Sequence, residues 1–411
     1  MTLDAAWTRS LPEGWRVDEL GKLLAEAPKY GIGAPAVAYE DDLPTYIRIT
    51  DITDDGRYTS ADRVSVEYPR SGAHYLQTGD IVLARTGASV GKSYLYRPAD
   101  GPLVFAGFLI RARPEPTRLH PAFAAAWMTT ASYWDWVQQT SMRSGQPGIN
   151  ATEYARMPIP VPPLAEQFRI VKVLADTDSE IEALADLIEK RRSMRIGVAQ
   201  ALLSGSRRLA GFTGPRRSVL LGDVAVFSKG KGITKESLVD DGVPCVRYGE
   251  LYTHHRDRVR AFYSFIPPDV AKRSQRLQSG DLLFAASGET AEEIGICAVY
   301  LGESEAYAGG DIIIAKARGE DPLYMAYLMN SHQVVAQKTR LGQGDAVVHI
   351  SARNIGKVEL HLPPPDEQRA VASAITDMDR QLELLEVRMT KLRAMKGGMV
   401  QELMTGRTRL S

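Results

Sequence analysis

The 411-residue sequence carries 50 Lys+Arg against 50 Asp+Glu, 44% hydrophobic residues and two cysteines. That balance leaves room for roughly two or three domains with real cores, and it excludes a disulfide scaffold, a low-complexity chain and a protein that wraps nucleic acid on its own net charge. No apolar run approaches membrane-spanning length, and MTLDAAWTRS lacks the basic and apolar regions of a secretion signal, so a cytoplasmic protein with no membrane role is expected.

Residues 1–163 open with LPEGWRVDELGKLL, in which Trp15, Val17, Leu20, Leu23 and Leu24 suit a short strand and helix laid on a core. Alternating runs at Thr45–Thr50, Gly79–Arg85, Ser93–Arg97 and Leu103–Arg111 follow, each bounded by Gly, Pro or Asp, and predict β-strands. From Pro121 to Gln139 the pattern turns helical, with Phe123, Trp127, Trp134 and Val137 on one side. The region is expected to be a mixed α/β domain.

Two polar, glycine-rich loops stand out in it. Gly87-Ala-Ser-Val-Gly91-Lys92-Ser93 resembles a nucleotide phosphate loop but has three residues between its glycines where four are needed, and a strand pattern follows it. A hairpin carrying Arg85, Thr86, Ser89 and Lys92 toward a DNA backbone or groove is the better functional reading, beside that of an ordinary exposed turn. Arg143-Ser-Gly-Gln146-Pro-Gly-Ile-Asn150 offers Arg143, Gln146 and Asn150, side chains suited to bidentate contacts with bases. Arg48 and Thr50 at the end of the first strand are weaker contact candidates.

Residues 164–209 form the element on which the sequence is organised, because residues 365–410 repeat it at an offset of 201. Of the 46 aligned positions 15 are identical, including Glu166/Glu367, Gln167/Gln368, Asp178/Asp379 and Gly205/Gly406. A seven-residue pattern runs through both copies, with Ile170, Leu174, Ile181, Leu184 and Ile188 in the first and Val371, Ile375, Leu382, Leu385 and Met389 in the second, as a coiled-coil seam requires. The tandem prolines before each copy and the glycine after it predict one long helix apiece, with Gly197 and Gly398 as places where a kink could form. Acidic residues (Asp176, Asp178, Glu180, Glu182) precede basic ones (Lys190, Arg191, Arg192, Arg195) in the first copy, and the second is polarised likewise, so antiparallel packing would set opposite charges face to face.

Residues 210–364 repeat the first region's plan more loosely. Leu221-Gly222 answers Leu20-Gly21, Gly280-Asp281 answers Gly79-Asp80, and Ile350 answers Ile149, all at the same offset. The loops between these anchors differ: Ala286-Ser287-Gly-Glu-Thr290 stands for Arg85-Thr-Gly-Ala-Ser89, and Arg340-Leu-Gly-Gln343 for Arg143-Ser-Gly-Gln146. Ser287, Thr290, Arg340 and Gln343, with Arg247 and Tyr248 opposite Arg48, are therefore the second half's contact candidates. Asp321-Pro-Leu-Tyr324 resembles the Asp-Pro-Pro-Tyr loop of adenine methyltransferases but lacks its second proline and any glycine-rich cofactor loop, which leaves a helix start. Cys245, Cys297 and seven scattered histidines have no metal-ligand spacing, and no nuclease or nucleophile constellation is present, so neither metal site nor catalytic residue is expected.

LPEGWRVDELG near the start, Ile159-Pro-Val-Pro-Pro-Leu-Ala-Glu-Gln167 entering the central helix, Gln200-Ala-Leu-Leu-Ser-Gly205 leaving it, and the second copies LPPPDEQ and QELMTG together resemble the specificity subunit of type I restriction-modification systems. The resemblance covers nearly the whole sequence and departs at Pro365-Asp366, where the central copy has Leu164-Ala165. It implies two tandem α/β target-recognition domains (1–163 and 210–364) separated by two long helices (164–209 and 365–411) in an antiparallel coiled coil with an internal pseudo-two-fold repeat. It also implies binding of a bipartite asymmetric double-stranded DNA target, docking of two modification (methyltransferase) subunits, and addition of restriction (motor-nuclease) subunits. No cofactor is then expected in this chain, with S-adenosylmethionine, ATP and magnesium on the partners. A coiled-coil adaptor or DNA-binding protein outside restriction-modification, and a fused restriction-methyltransferase, are the alternatives, and co-purification of a methyltransferase separates them.

Overall fold

Tandem prolines open both long helices. Pro162-Pro163 and Pro363-Pro364 lie outside regular structure and lead into a central helix, Leu164–Ser204, and a C-terminal helix, Pro365–Met404. Both stop where a glycine takes the left-handed conformation that other residues resist, Gly205 at φ 80° and Gly406 at φ 71°. Neither Gly197 nor Gly398 interrupts its helix. The structure, a computed structural model, describes residues 11–69, 71–142, 146–344 and 347–410.

Packing divides the protein into two units, Met1–Ala185 with Val387–Ser411, and Asp186–Glu386. In the first, one four-stranded sheet is antiparallel, in the order Lys29–Tyr30, Leu109–Ala112, Ile81–Ala84, Ser93–Leu95. A second runs Val37–Ala38, Val64–Ser65, Thr45–Ile47, Leu103–Phe105, its last pair parallel. Arg16–Glu19 pairs with Pro158–Val161 at the entrance to the central helix. One core joins the sheet residues Ile81, Leu83 and Ile110 to Phe123, Trp127, Val137 and Tyr154, and continues into Ile170 and Leu174 of the central helix and Val400, Leu403 and Met404 of the C-terminal helix.

The second unit has a five-stranded sheet, Ala225–Lys229, Ile312–Ala317, Asp281–Ala285, Cys297–Tyr300 and Asp257–Arg258, and a four-stranded one centred on Val243–Val246 and Tyr307–Ala308. Arg217–Leu220 pairs with Glu359–Leu362, the register of the first unit's Arg16–Glu19 pair moved by 201 positions. Its core takes in Ala199, Leu202 and Leu203 of the central helix and Val371, Ala372 and Ile375 of the C-terminal helix.

Within each unit the helical segments run antiparallel, as the charge polarity predicts. Lys396 meets Asp178 and Arg388 meets Glu180 in the first unit; Arg195 meets Asp379 and Arg192 meets Glu386 in the second. The seam is buried at Ile170, Leu174, Ile181, Leu184 and Ile188, whereas Leu382, Leu385 and Leu392 are half-buried and Arg191 is exposed.

Two local expectations are corrected. The single helix expected over Pro121–Gln139 is two, Pro121–Trp127 and Ala131–Ser141, because the Thr130 hydroxyl donates to the Trp127 carbonyl and accepts from the Tyr133 amide, capping a new start. The break turns Trp134 outward, 40% exposed, while Phe123, Trp127 and Val137 stay buried. The run Thr45–Thr50 is a strand only to Ile47, since Asp51 accepts from the Arg48 amide and folds Ile49–Asp51 into a 3-10 turn. Asp321, by contrast, starts a helix as expected, accepting from the Tyr324 amide at 2.8 Å.

Candidate nucleic-acid interface

In the first unit the turn that follows Ile81–Ala84 is a hairpin into Ser93–Leu95, closed by hydrogen bonds between Ala84 and Lys92 and between Gly91 and Ala84. Two buried tyrosines fix its base: Tyr154 donates to the Ala84 carbonyl at 2.7 Å and Tyr133 to that of Gly91 at 2.6 Å. Gly91 packs so closely that a Cβ there would lie 2.7 Å from Val137, at a φ of 90°. The hairpin is therefore held rigidly at its root, the condition for a loop that positions side chains.

The second glycine-rich loop folds onto it. The Gly87 amide donates to the Pro147 carbonyl, Thr86 and Gly148 form a β-bridge, and the Ile149 amide donates to the Arg85 carbonyl. Arg85, Thr86 and Gln146 thus share one surface, with the Gln146 amide group against Gly87. The Arg85 guanidinium lies over the exposed Tyr30 ring, 4.8 Å from its centroid, and Phe108 is 59% exposed nearby on the turn whose carbonyl accepts from the Arg85 amide. Ser89 is half-buried in the hairpin turn.

Other candidates of the first half have partners within the protein. Lys92 reaches Asp54 at 2.6 Å, so any phosphate contact competes with that ion pair. Arg48 lays its fork on Asp51, which raises the guanidinium above its ordinary range, and also donates to the Asp62 carbonyl. Thr50 is exposed beside the same carboxylate. Asn150 caps the helix Ala151–Ala155, accepting from the Glu153 amide. Arg143 lies outside the described residues.

The second unit builds the same convergence with different side chains. Ser287–Gly288 pairs with Val348–His349, and the Ile350 amide donates to the Ala286 carbonyl, each the first half's contact displaced by 201 positions. Ser287 is buried, with its Oγ 2.9 Å from His349 Nδ1 and its carbonyl accepting from Tyr252. Gln343 exchanges both backbone hydrogen bonds with His349. From behind, the fully buried Lys338 donates to the Gly295 carbonyl, and burial pulls its ammonium down to about 8. Thr290 bonds Glu293, Arg340 is exposed in the last turn of His332–Leu341, and Arg247 and exposed Tyr248 sit at the start of a separate short helix, Tyr248–Thr253.

Tyr30, Phe108 and His349 escape a reading of the sequence. The first two lie outside any polar loop, and only the offset from Gly148 points to His349. Among the described residues no cluster of His, Cys, Asp and Glu suits a metal ion, and no helix is long and apolar enough to cross a membrane.

Residues 24–190 match the family model for the type I restriction modification DNA specificity domain. The chain is 20% identical over 431 residues to the type I restriction enzyme MjaVIII specificity subunit of Methanocaldococcus jannaschii, covering 97% of this chain and 94% of that one. Its fold matches the type I restriction-modification S subunit from M. genitalium with a TM-score of 0.56 at 15% identity, over 100% of this chain and 99% of the other. It also matches a chain solved for complex assembly and conformational transition of the type I R-M system, with a TM-score of 0.60 at 16% identity, over 97% and 100% of the two chains. The repeated helices and the paired loop sites are thus accompanied by a likeness to specificity subunits of type I restriction-modification systems, carried by the family model over residues 24–190 and by a relative about 20% identical over nearly the whole chain.

Proposed function

We propose that this chain is the non-catalytic subunit that gives a type I complex its DNA sequence, with the loops of each unit reading one part of a bipartite asymmetric double-stranded target. The observation that carries the reading is the pair of equivalent loop sites: both keep the Thr86–Gly148 or Ser287–His349 bridge, and each presents different side chains. An unchanged frame with changed polar groups is what two unlike half-sites require. Residues 1–163 and 210–364 are the two target-recognition domains in this reading. Two modification subunits would dock on the chain and supply adenine methylation with S-adenosylmethionine. Restriction subunits would add ATP- and magnesium-dependent cleavage. The zero formal charge fits a reader that leaves most phosphate neutralisation to its partners.

The test is reconstitution. The purified chain alone is expected to methylate nothing and to bind DNA weakly, and the chain with its modification subunits to methylate adenine within one gapped, asymmetric sequence. Methyl transfer by the isolated chain, or methylation by the complex without sequence preference, overturns the proposal.

A further inference from the structure

The Ser287–His349 pair occupies the place where the first unit has Thr86 and Gly148, and a glycine offers no side chain there. His349 is exposed, and every constraint on it comes from a buried or backbone group. Its backbone is bonded in both directions to Gln343, its neighbour Ile350 is tied to Ala286, and its Nδ1 is 2.9 Å from the hydroxyl of a serine that is 6% exposed and that Tyr252 holds by its carbonyl. The ring is preorganised, with Nε2 as its remaining polar edge.

That ring lines a cavity of about 470 Å³, whose other polar walls include Ser228, Lys229, Asp311 and Ser351. Lys229 is 3.9 Å from Asp311, and both side chains are more than half exposed, so the cavity mouth carries polar, solvent-facing groups of both signs. A concave surface with one fixed, directional group is built to orient a ligand edge.

We infer that His349, buttressed by Ser287, is a specificity-determining residue for the second half-site and contacts a base edge in the major groove. In this assignment the Ser287 hydroxyl is the donor to Nδ1, so Nε2 carries the hydrogen and meets an acceptor, which in that groove is purine N7 or guanine O6. The inference rests on the proposed DNA-reading role and assigns it to a side chain.

The test uses the complete chain assembled with its modification subunits. The wild-type complex must first methylate a gapped target; if it does not, the proposed function fails and this assignment with it. Given that activity, His349→Gly, which installs the first unit's residue at an exposed position, is expected to lower the preference for a purine at one position of the second half-site by about tenfold, as loss of one base contact would. The first half-site should be unchanged. Ser287→Ala, which frees the ring, should give a smaller loss at the same position. Unaltered methylation maps for His349→Gly overturn the assignment. So does a uniform loss of affinity for all sequences with a salt dependence shallower by about one, the mark of a phosphate contact.

Discussion

A glutamate in the first turn of each long helix grips an arginine that lies just past the end of the other. Arg409 forks onto Glu166 at 3.1 and 2.8 Å, and Arg208 does the same to Glu367. Glu166 is nearly inaccessible and also accepts from the Trp15 indole at 3.1 Å, while Arg409 is about half exposed. The Arg409 hydrogen bond is the main reason the Glu166 carboxyl is held below its ordinary value of 4.5. A lowered folded value means the pair contributes fully above the ordinary carboxyl value, and the contribution is lost as pH falls through the lowered one. Arg409→Ala should lower stability, because it leaves the buried Glu166 carboxylate without its charged partner. Denaturant unfolding at neutral pH and near pH 3 checks this: the gap between variant and wild type should shrink in acid. The same scale shows why contact residues are hard to read from sequence. Lys92 looks like a free cation in its loop, yet its partner Asp54 lies far back in the chain, and nothing in the spacing announces the pair.

At the scale of elements, the long helices contain glycines that serve no close approach. A Cβ added at Gly197, Gly397 or Gly398 would meet nothing within 4 Å, and all three sit in helix interiors. Each substitution by alanine should stabilise the protein by about 0.5–1 kcal/mol, read as a higher thermal midpoint. A fall in the midpoint would mean that these sites are bent in solution. These helices were the most legible part of the sequence, because repeat, seam, proline start and glycine stop all agree along an uninterrupted stretch. The sheets were legible as strands but not in their limits, since single side chains such as Thr130 and Asp51 end or restart an element by local hydrogen bonds. The candidate loops were legible by composition. Their convergence was not, because the Thr86–Gly148 bridge joins segments that have no sequence pattern in common.

At the scale of the whole molecule, two of the ion pairs that tie the helices have twins 201 positions away. Glu166 with Arg409 reappears as Glu367 with Arg208, and Asp178 with Lys396 as Asp379 with Arg195. Glu166, Asp178 and Arg195 lie in the central helix and Arg208 just past its end, so residues 164–208 hold both partners of each kind of pair and are complementary to a reversed copy of themselves. A fragment of residues 1–210 should therefore associate with a second copy, each Glu166 taking the other's Arg208. Light scattering would report twice the fragment mass, and Glu166→Gln with Arg208→Ala should return it to a monomer. Such a dimer would carry two identical loop sites and is expected to prefer palindromic DNA, whereas the full chain, with two unlike loop sets on one repeated frame, is expected to prefer an asymmetric target.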